Sequence, residues 1–177
     1  EQMLAKTKLN TISLRFFNPI GNHTSNLIGD CSKSASNNLV PLIAQTAVGK
    51  RKFITVNGDN YNTSDGSCIR DFINVIDLSN AHINALEYLI KNQIKKVFNI
   101  GTGEGISVLE TIKYFEQANN LKINYKIGPR RIGDVEAIFA NVEAAKKELK
   151  WNTQVSIEDS MKTALSWEKT IYNQNIS

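Results

Sequence analysis

The sequence has few cysteines, few prolines, few aromatic residues and no long apolar run among its 177 residues. Its apolar stretches are only a few residues long, whereas a membrane-spanning helix needs roughly 20 residues, so we expect no membrane segment. Cys31 and Cys68 lack the C-x-x-C or Cys/His spacing of a zinc or redox site, and two such thiols are typical of a reducing compartment. Nothing after Glu1 resembles a signal peptide. We therefore expect a cytoplasmic protein.

Charge of neither sign is concentrated in one segment. The formal net charge is +4, but the basic residues are scattered along the chain without interleaved aromatic residues, and a nucleic-acid-binding surface needs clustering. We therefore expect no nucleic-acid partner. Histidine is also scarce, because the chain has only His23 and His82. No Ser/His/Asp or paired-carboxylate arrangement indicates a hydrolase. We expect His82 to be a structural residue among the core positions of a helix, and we assign no role to His23.

Short apolar runs and helix-capping residues alternate along the chain. The runs predict strands at 11–17, 52–56, 69–75, 96–100 and 122–127. The capping residues predict helices that begin near Asn38, Asp77, Ser107, Asn141 and Ser156. Residues 1–10 predict a further helical segment, and residues 22–36 predict a loop. Because strands and helices alternate without an internal repeat, we expect one mixed α/β fold.

A glycine-rich turn, Gly101-Thr-Gly103-Glu-Gly105, follows the predicted strand 96–100. Backbone N–H groups of such turns hold a dinucleotide when the spacing is G-x-G-x-x-G and an acidic residue follows about 20 residues later. Here the spacing is G-x-G-x-G, and Ile106 takes the sixth position. We therefore expect a structural turn between strand and helix rather than a nucleotide site.

Two arginines occupy positions that suit an anionic ligand. Arg70 follows a loop rich in Gly, Asp and Asn, and Arg131 lies in a second loop with Asp134 three positions later. Arginine offers a planar fork of donors that matches phosphate oxygens, and a carboxylate can accept hydrogen bonds from ribose hydroxyls. The pattern suggests a nucleoside-diphosphate ligand. For the first stretch alone, a surface ion pair between Arg70 and Asp71 remains an equal alternative.

Five motifs in a fixed order carry a resemblance to a known family. The motifs are Leu14-Arg-Phe-Phe-Asn18-Pro-x-Gly21-x-His23, Asn37-Asn-Leu-x-Pro41, Gly58-x-x-Tyr61-x-Thr63-x-Asp65-Gly66-x-x-x-Arg70-Asp71-Phe72-Ile73-x-Val75, Asn99-x-Gly101-x-Gly103 and Arg130-Arg-x-Gly-Asp134. Together they resemble the C-terminal half of the UDP-glucose (UDP-galactose) 4-epimerase family, NAD-dependent members of the extended short-chain dehydrogenase/reductase superfamily. The resemblance covers about the whole chain, and the long loop before Arg70 is typical of the 4-epimerases.

The resemblance implies the last strands of a Rossmann-type parallel sheet together with a smaller mixed α/β substrate-binding domain. It places nine residues at the UDP-sugar, namely Asn18, Asn38, Leu39, Thr55, Asn57, Arg70, Arg131, Asp134 and Ile138. In this assignment Arg70 and Arg131 contact the pyrophosphate and ribose, and Asp134 accepts from a ribose hydroxyl. Phe17, with Phe16 beside it, is expected to lie against the cofactor.

Two of these positions depart from the family pattern. Asn57 stands where the family usually has an aromatic residue near the uracil, so stacking on the base is expected to be lost. Ile138 stands at the position that sets the accepted sugar size, often Tyr or Cys in the family. The intermediate size of isoleucine leaves the acceptance of N-acetylated sugars open.

The implied reaction interconverts UDP-galactose and UDP-glucose through a 4-keto sugar in galactose metabolism, with NAD as the cofactor and a homodimer as the full-length enzyme. The 177 residues contain neither the Tyr-x-x-x-Lys of the catalytic helix nor a Gly-x-x-Gly-x-x-Gly cofactor loop. We therefore expect the N-terminal NAD-binding part to lie outside this chain, and the chain alone to be inactive with no catalytic residue of its own.

Within the chain, we expect 11–18 and 96–120 to belong to the Rossmann sheet, and 19–95 and 121–177 to belong mainly to the substrate domain. Two other interpretations stay open. The first is a related sugar-nucleotide enzyme, such as a UDP-glucuronate or UDP-pentose epimerase. The second is a non-catalytic nucleotide-sugar-binding module that lacks its cofactor domain.

Overall fold

The computed structural model of the chain describes residues 9–31 and 38–174. Most of the helical segment expected over residues 1–10, and part of the loop expected over residues 22–36, lie outside the described residues. The strands are β1 (Thr11–Phe16), β2 (Asn18–Ile20), β3 (Ile54–Asn57), β4 (Ile69–Arg70), β5 (Phe72–Asn74), β6 (Lys95–Ile100), β7 (Ile106–Ser107), β8 (Tyr125–Gly128) and β9 (Ala137–Ile138). The helices are α1 (Leu39–Ala47), α2 (Val75–Asn92), α3 (Val108–Asn119), α4 (Glu143–Leu149) and α5 (Ile157–Gln174). This order confirms the mixed α/β prediction.

Most strand pairs are parallel. Strand β1 pairs with β6 over six residues, β2 pairs with β5, and β3 pairs with β8, all in parallel. Strand β4 lies between β7, which is antiparallel to it, and β9, which is parallel. Because the β1–β2 and β4–β5 connections are one residue long, β1 leads directly into β2 and β4 leads directly into β5, the partner of β2.

Two clusters of buried apolar side chains form the core. The first joins α1, α3 and α5 to β3 through residues that include Ile43, Phe115 and Met161. The second packs α2 and α4 against β6. Neighbouring residues of a strand point to opposite faces, and β5 contributes Phe72 to the first cluster and Ile73 to the second. Strand β5 is therefore the wall between the two cores, while the division of the chain expected above stays a prediction.

Stretch 69–75 is not one strand, contrary to the sequence prediction. It is divided at Asp71, because β4 pairs with β7 and β9 whereas β5 pairs with β2. Asp77 also does not cap the following helix. The side chain of Asn74 accepts a hydrogen bond from the backbone N–H of Ile76 and caps α2, while the buried Asp77 carboxylate accepts from two backbone N–H groups of residues 154 and 155. Sequence spacing cannot distinguish these two uses of an acidic or amide side chain.

The start of α3 follows the sequence prediction. Its first turn is closed by a reciprocal capping box, in which the Ser107 hydroxyl accepts from the backbone N–H of Glu110 and the Glu110 carboxylate accepts from that of Ser107. The Ser156 hydroxyl caps α5 by accepting from the backbone N–H of Asp159. At α1, in contrast, the Asn38 side chain makes no capping hydrogen bond.

His82 does not occupy a core position, so that prediction is wrong. It lies on the exposed face of α2, where its Nδ1 is 2.8 Å from the carbonyl oxygen of Leu78 and its ring is 6.4 Å from that of Phe16. The buried face of α2 is formed by Ala81 and Ala85, whereas Leu86 is 58% exposed. In the described part of the chain, no helix is long and apolar enough to span a membrane.

Candidate functional site

A cavity of about 370 Å³ lies where β2, β3 and β4 meet the start of α1. Eight of the nine residues expected at the substrate line it, namely Asn18, Asn38, Leu39, Thr55, Asn57, Arg70, Arg131 and Asp134. Phe17, expected at the cofactor, also lines it. The fold thus brings five separate stretches of the chain to one cavity, and the ligand contacts of these residues stay a prediction.

Asn18 is held in place by the residue between β4 and β5. Its side-chain Nδ2 donates to the carbonyl oxygen of Asp71 at 2.9 Å, and its backbone N–H donates to the same oxygen at 3.0 Å. One carbonyl therefore fixes both the main chain and the side chain of Asn18. One N–H of this amide is used internally, which leaves its second N–H as a donor and its oxygen as an acceptor for a ligand.

Arg70 forms one wall of the cavity and is held by three acceptors. Its guanidinium donates to an Asp134 carboxylate oxygen at 2.8 Å and to the carbonyl oxygens of Ile69 and Val135 at 2.7 and 3.0 Å. The Arg70 side chain is only 16% exposed. Arginine has five N–H donors, so this arrangement orients the guanidinium while leaving donors for a phosphate.

The alternative of a surface pair between Arg70 and Asp71 is wrong. Asp71 is fully buried, and its carboxylate accepts four hydrogen bonds from the backbone N–H groups of Thr102, Gly103 and Ala140 and from the Thr102 hydroxyl, at 2.7 to 3.1 Å. Arg70 is paired with Asp134 instead. The two residues point to opposite sides because adjacent residues in an extended chain alternate.

The glycine-rich turn at 101–105 is accordingly filled by the chain itself. A Cβ atom on Gly101 would come within 2.4 Å of an Asp71 carboxylate oxygen and 2.8 Å of the Ala140 Cβ. Backbone N–H groups that could hold a phosphate hold the Asp71 carboxylate here. This contact explains why the turn needs glycine without serving as a pyrophosphate site.

Asp134 and Arg131 share a tight turn on the same side of the cavity as Arg70, since Asp134 is the ion-pair partner of Arg70. The backbone N–H of Asp134 donates to the carbonyl oxygen of Arg131 at 3.2 Å, and Gly133 between them has φ of +83°. On β3, Thr55 and Asn57 are two residues apart and both line the cavity, as expected of residues on one face of a strand. The cavity therefore has a cationic wall at Arg70 and Arg131 and a neutral polar wall at β3.

Two of the expected site residues do not line this cavity. Ile138 lies on β9, directly opposite Arg70 in the strand pair, and is 45% exposed. Phe16 ends β1 and is 51% exposed. Ile138 thus lies beside Arg70, and Phe16 lies beside Phe17. Both expose apolar surface to solvent.

Cys68 lines the cavity and was not expected there from the sequence. It lies two residues before Arg70, so the alternation of an extended segment would have placed both on one side. Burial raises the pKa of the Cys68 thiol above its ordinary value, so this thiol stays protonated at neutral pH. Both cysteines are free, with Cys31 exposed and Cys68 buried.

A larger cavity of about 880 Å³ adjoins the first and shares five lining residues with it, namely Pro19, Ile20, Asn38, Val40 and Pro41. It is lined partly by α1, α5 and the segment 19–31, and includes His23, whose Nδ1 lies 2.8 Å from the Ser25 hydroxyl. Among its described lining residues are Lys50 and Glu168, which form an ion pair at 2.6 Å. Neither of the two arginines expected at the phosphates lies there. Within residues 9–31 and 38–174, no group of three or more potential metal ligands is present.

The sequence and fold both match known proteins along almost the whole chain. Residues 2–164 match the sequence model of the family described as GDP-mannose 4,6 dehydratase. The chain therefore belongs to this family, within the extended short-chain dehydrogenase/reductase superfamily.

More particular relatives are UDP-glucose 4-epimerases. The enzyme of Dictyostelium discoideum is 46% identical over 160 residues, which cover 90% of this chain and 46% of that protein. The crystal structure of the Bifidobacterium longum enzyme in complex with NAD+ and UDP matches with a TM-score of 0.90 at 40% identity, covering 97% of this chain and 51% of that one. The Stenotrophomonas maltophila enzyme, with bound NAD and formylated UDP-arabinopyranose, matches with a TM-score of 0.95 at 37% identity, covering 98% and 53%. The chain thus spans about half the length of these relatives.

Proposed function

We propose that this chain supplies the UDP-sugar-binding half of a UDP-glucose 4-epimerase, which interconverts UDP-galactose and UDP-glucose through a 4-keto sugar. The observation that carries the proposal is the convergence of eight expected substrate residues on one cavity with a cationic wall. The relatives named UDP-glucose 4-epimerase, and the solved structure with NAD+ and UDP, support the same conclusion.

In this proposal the diphosphate lies between Arg70 and Arg131. Arg70 is oriented by its ion pair with Asp134 at 2.8 Å, so its charge is presented to the ligand without a large entropic loss on binding. Asp134 keeps carboxylate lone pairs for a ribose hydroxyl, because it accepts from Arg70 through one oxygen only. The uridine then faces Thr55 and Asn57 on β3. The amide side chain of Asn57 stands there in place of the aromatic residue that is usual in the family.

We propose NAD as the cofactor of the whole enzyme, which supplies the hydride acceptor and donor when bound. Of the described residues, Phe16 and Phe17 are the ones that would contact it. Phe16 offers half of its surface at the end of β1, which fits an apolar contact with a flat ring. The glycine-rich turn is unsuited to the dinucleotide phosphates, because its N–H groups already hold the Asp71 carboxylate.

Several properties of the whole protein belong to the same proposal. We propose a role in galactose metabolism, a cytoplasmic location consistent with two free thiols, and a homodimer formed by the full-length enzyme. We propose no nucleic-acid or membrane partner. Since the 177 residues lack the Tyr-x-x-x-Lys motif, we also propose that on their own they neither retain NAD nor turn over substrate.

Isothermal titration calorimetry of the purified chain with UDP, UMP and uridine tests the binding part of the proposal. We expect one UDP site. UMP should bind about tenfold more weakly than UDP, and uridine about tenfold more weakly than UMP, because the arginines contact the phosphates. Equal affinity for UDP and uridine, or no binding of UDP at millimolar concentration, would contradict it. Bound NAD in the purified chain, or turnover of UDP-galactose by it, would contradict the proposed inactivity.

A panel of UDP-sugars tests the interpretation that the chain belongs to a related sugar-nucleotide epimerase. The proposal predicts that UDP-glucose and UDP-galactose bind the chain more tightly than UDP-glucuronate does. A preference for UDP-glucuronate or a UDP-pentose would instead identify a related epimerase. Because Ile138 lies beside Arg70 on β9, Ile138→Tyr is the variant expected to narrow the accepted sugars.

A further inference from the structure

Arg130 is tied to the loop before β4 by three contacts. Its guanidinium carbon lies 3.9 Å from the ring centroid of Tyr61. Its Nε donates to the side-chain oxygen of Asn60 at 2.7 Å, and one terminal nitrogen donates to the backbone carbonyl of Asn60. A planar cation stacked on a ring and bonded through two nitrogens has a defined orientation even when it is exposed.

The platform beneath Arg130 is itself built for this contact. Tyr61 is 5% exposed and Gly58 is buried. A Cβ atom on Gly58, where φ is +89°, would come within 2.7 Å of the Arg130 Cγ and 2.9 Å of the Tyr61 ring. Only glycine leaves room for the arginine stem to lie across this ring. The guanidinium lies over the ring, so the face of the ring makes the contact, and in the described part of the chain the buried Tyr61 hydroxyl has no hydrogen-bond partner.

The same turn has a second anchor a few residues later. Asp134 forms the ion pair with Arg70 at 2.8 Å, and the carbonyl of Val135 accepts from Arg70 at 3.0 Å. Arg131, which lines the cavity, therefore lies between an anchor at Arg130 and an anchor at Asp134. An exposed turn held at both ends restricts where the side chain between the anchors can reach.

We propose that Arg130 is a positioning residue: by stacking on Tyr61 and bonding to Asn60, it fixes the turn that presents the Arg131 guanidinium to the diphosphate of the nucleotide-sugar. The inference rests on the proposed function. It also gives a role to the long loop that carries Tyr61, since this loop provides the platform. Arg130 itself does not line the cavity in the described residues.

The variant Arg130→Lys separates positioning from charge. It keeps the positive charge near the ligand but loses the planar stack and the paired contacts to Asn60. We expect UDP affinity, measured by calorimetry, to fall about fivefold. Arg51→Lys is the matched control, because Arg51 also donates to an amide side chain, that of Gln45 at 2.8 Å, but lies outside the cavity. Equal UDP affinities of Arg130→Lys and Arg51→Lys would overturn the proposal.

Substitutions of the platform provide an independent arm. Tyr61→Leu removes the ring face, whereas Tyr61→Phe keeps it and removes only the unpartnered hydroxyl. We expect the Phe variant to bind UDP several-fold more tightly than the Leu variant, while urea unfolding reports the stability of each. If Tyr61→Leu does not fold, the Arg130 and Arg131 variants still decide the question.

A double-mutant cycle with Arg131→Ala closes the test. If Arg130 acts through Arg131, adding Arg130→Lys to Arg131→Ala changes UDP affinity less than twofold, although it weakens the wild-type chain about fivefold. If the two effects multiply, Arg130 acts independently and the inference is wrong while the proposed function stands. If the wild-type chain does not bind UDP at all, the proposed function fails, and the role of Arg130 fails with it.

Discussion

Two turns near Arg70 and Asp71 handle negative charge in opposite ways. The glycine-rich turn at 101–105 uses its backbone N–H groups to hold the buried Asp71 carboxylate. The turn at 129–134 places the Arg131 side chain at a cavity open to solvent. Both turns carry donors that could bind phosphate, but the N–H groups of the first are occupied by Asp71, whereas the Arg131 guanidinium of the second lies at the cavity. The comparison teaches that a phosphate-like turn must be checked for an internal anion before it is assigned a ligand.

The largest expected effect comes from Asp71→Asn, which removes the carboxylate held by the glycine-rich turn. The amide keeps the shape of the carboxylate but replaces an acceptor oxygen with N–H donors that face the N–H groups of Gly103 or Thr102. We expect the free energy of unfolding to fall by about 3 kcal/mol, measured by urea denaturation. A loss below about 1 kcal/mol would show that the Asp71 carboxylate does not hold this turn.

The next largest effect is expected from Gly101→Ala, which tests whether the same turn has room for a Cβ atom. A methyl group at Gly101 would press on the Asp71 carboxylate and on Ala140, so Gly101→Ala is expected to lower the free energy of unfolding by about 2 kcal/mol. Gly133→Ala is the matched change in the second turn. Nothing lies within 4 Å there, and only the φ of +83° opposes a side chain, so about 1 kcal/mol is expected. The reverse order of these two losses would contradict the comparison.

Asp134→Asn makes the same chemical change in the second turn as Asp71→Asn makes in the first. Because the Asp134 side chain is 26% exposed, water can solvate the groups left behind, and the free energy of unfolding should fall by less than about 1 kcal/mol. UDP affinity should fall about tenfold, since the neutral amide is a weaker acceptor for the ribose hydroxyl and no longer an ionic partner of Arg70. Titration calorimetry and urea unfolding of the same samples check both numbers. Large loss of stability with unchanged affinity would reverse the assignment.

The smallest effect concerns Asp65, a third carboxylate, in the loop that carries Tyr61. Burial alone would raise its pKa, but hydrogen bonds from the Ser107 hydroxyl and from Ser67 outweigh it, so the pKa lies below its ordinary value of 3.8. A folded-state pKa below the unfolded one means that the ionised form stabilises the fold at neutral pH, and that this contribution is lost as the pH falls through the folded pKa.

Asp65→Asn is therefore expected to lower the free energy of unfolding by about 1 kcal/mol at pH 7. It should also flatten the fall in stability between about pH 5 and pH 2. Urea unfolding at several pH values measures this slope. An equally steep slope in the variant would mean that Asp65 is not one of the groups responsible.

The sequence predicted what depends on local patterns. Strand β1, the capping box at Ser107, the hydroxyl cap at Ser156 and the structural nature of the glycine-rich turn follow from spacing and residue type alone. The division of 69–75 at Asp71 did not follow, because it depends on which strands lie on either side. For the same reason the pairing of Arg70 with Asp134, rather than with its neighbour Asp71, needed the fold.

The candidate site shows the same limit. The resemblance named residues that the fold then brought to one cavity, but it named Ile138, which lies beside the cavity, and omitted Cys68, which lines it. The exposure of His82 also depends on tertiary packing, since helical periodicity alone placed it among core positions. Sequence patterns therefore predict which residues share a motif. Strand pairing and tertiary packing decide on which face of a strand or helix each side chain lies.

A titration of the ¹⁵N-labelled chain with UDP, followed by two-dimensional NMR, tests the central claim most directly. We predict shifts in the backbone amide signals of Thr55, Asn57, Arg131 and Asp134, and no comparable shift at Thr102 or Gly103, whose N–H groups hold Asp71. Shifts concentrated at Thr102 and Gly103, with none at Arg131 and Asp134, would place the phosphates at the glycine-rich turn and contradict the account.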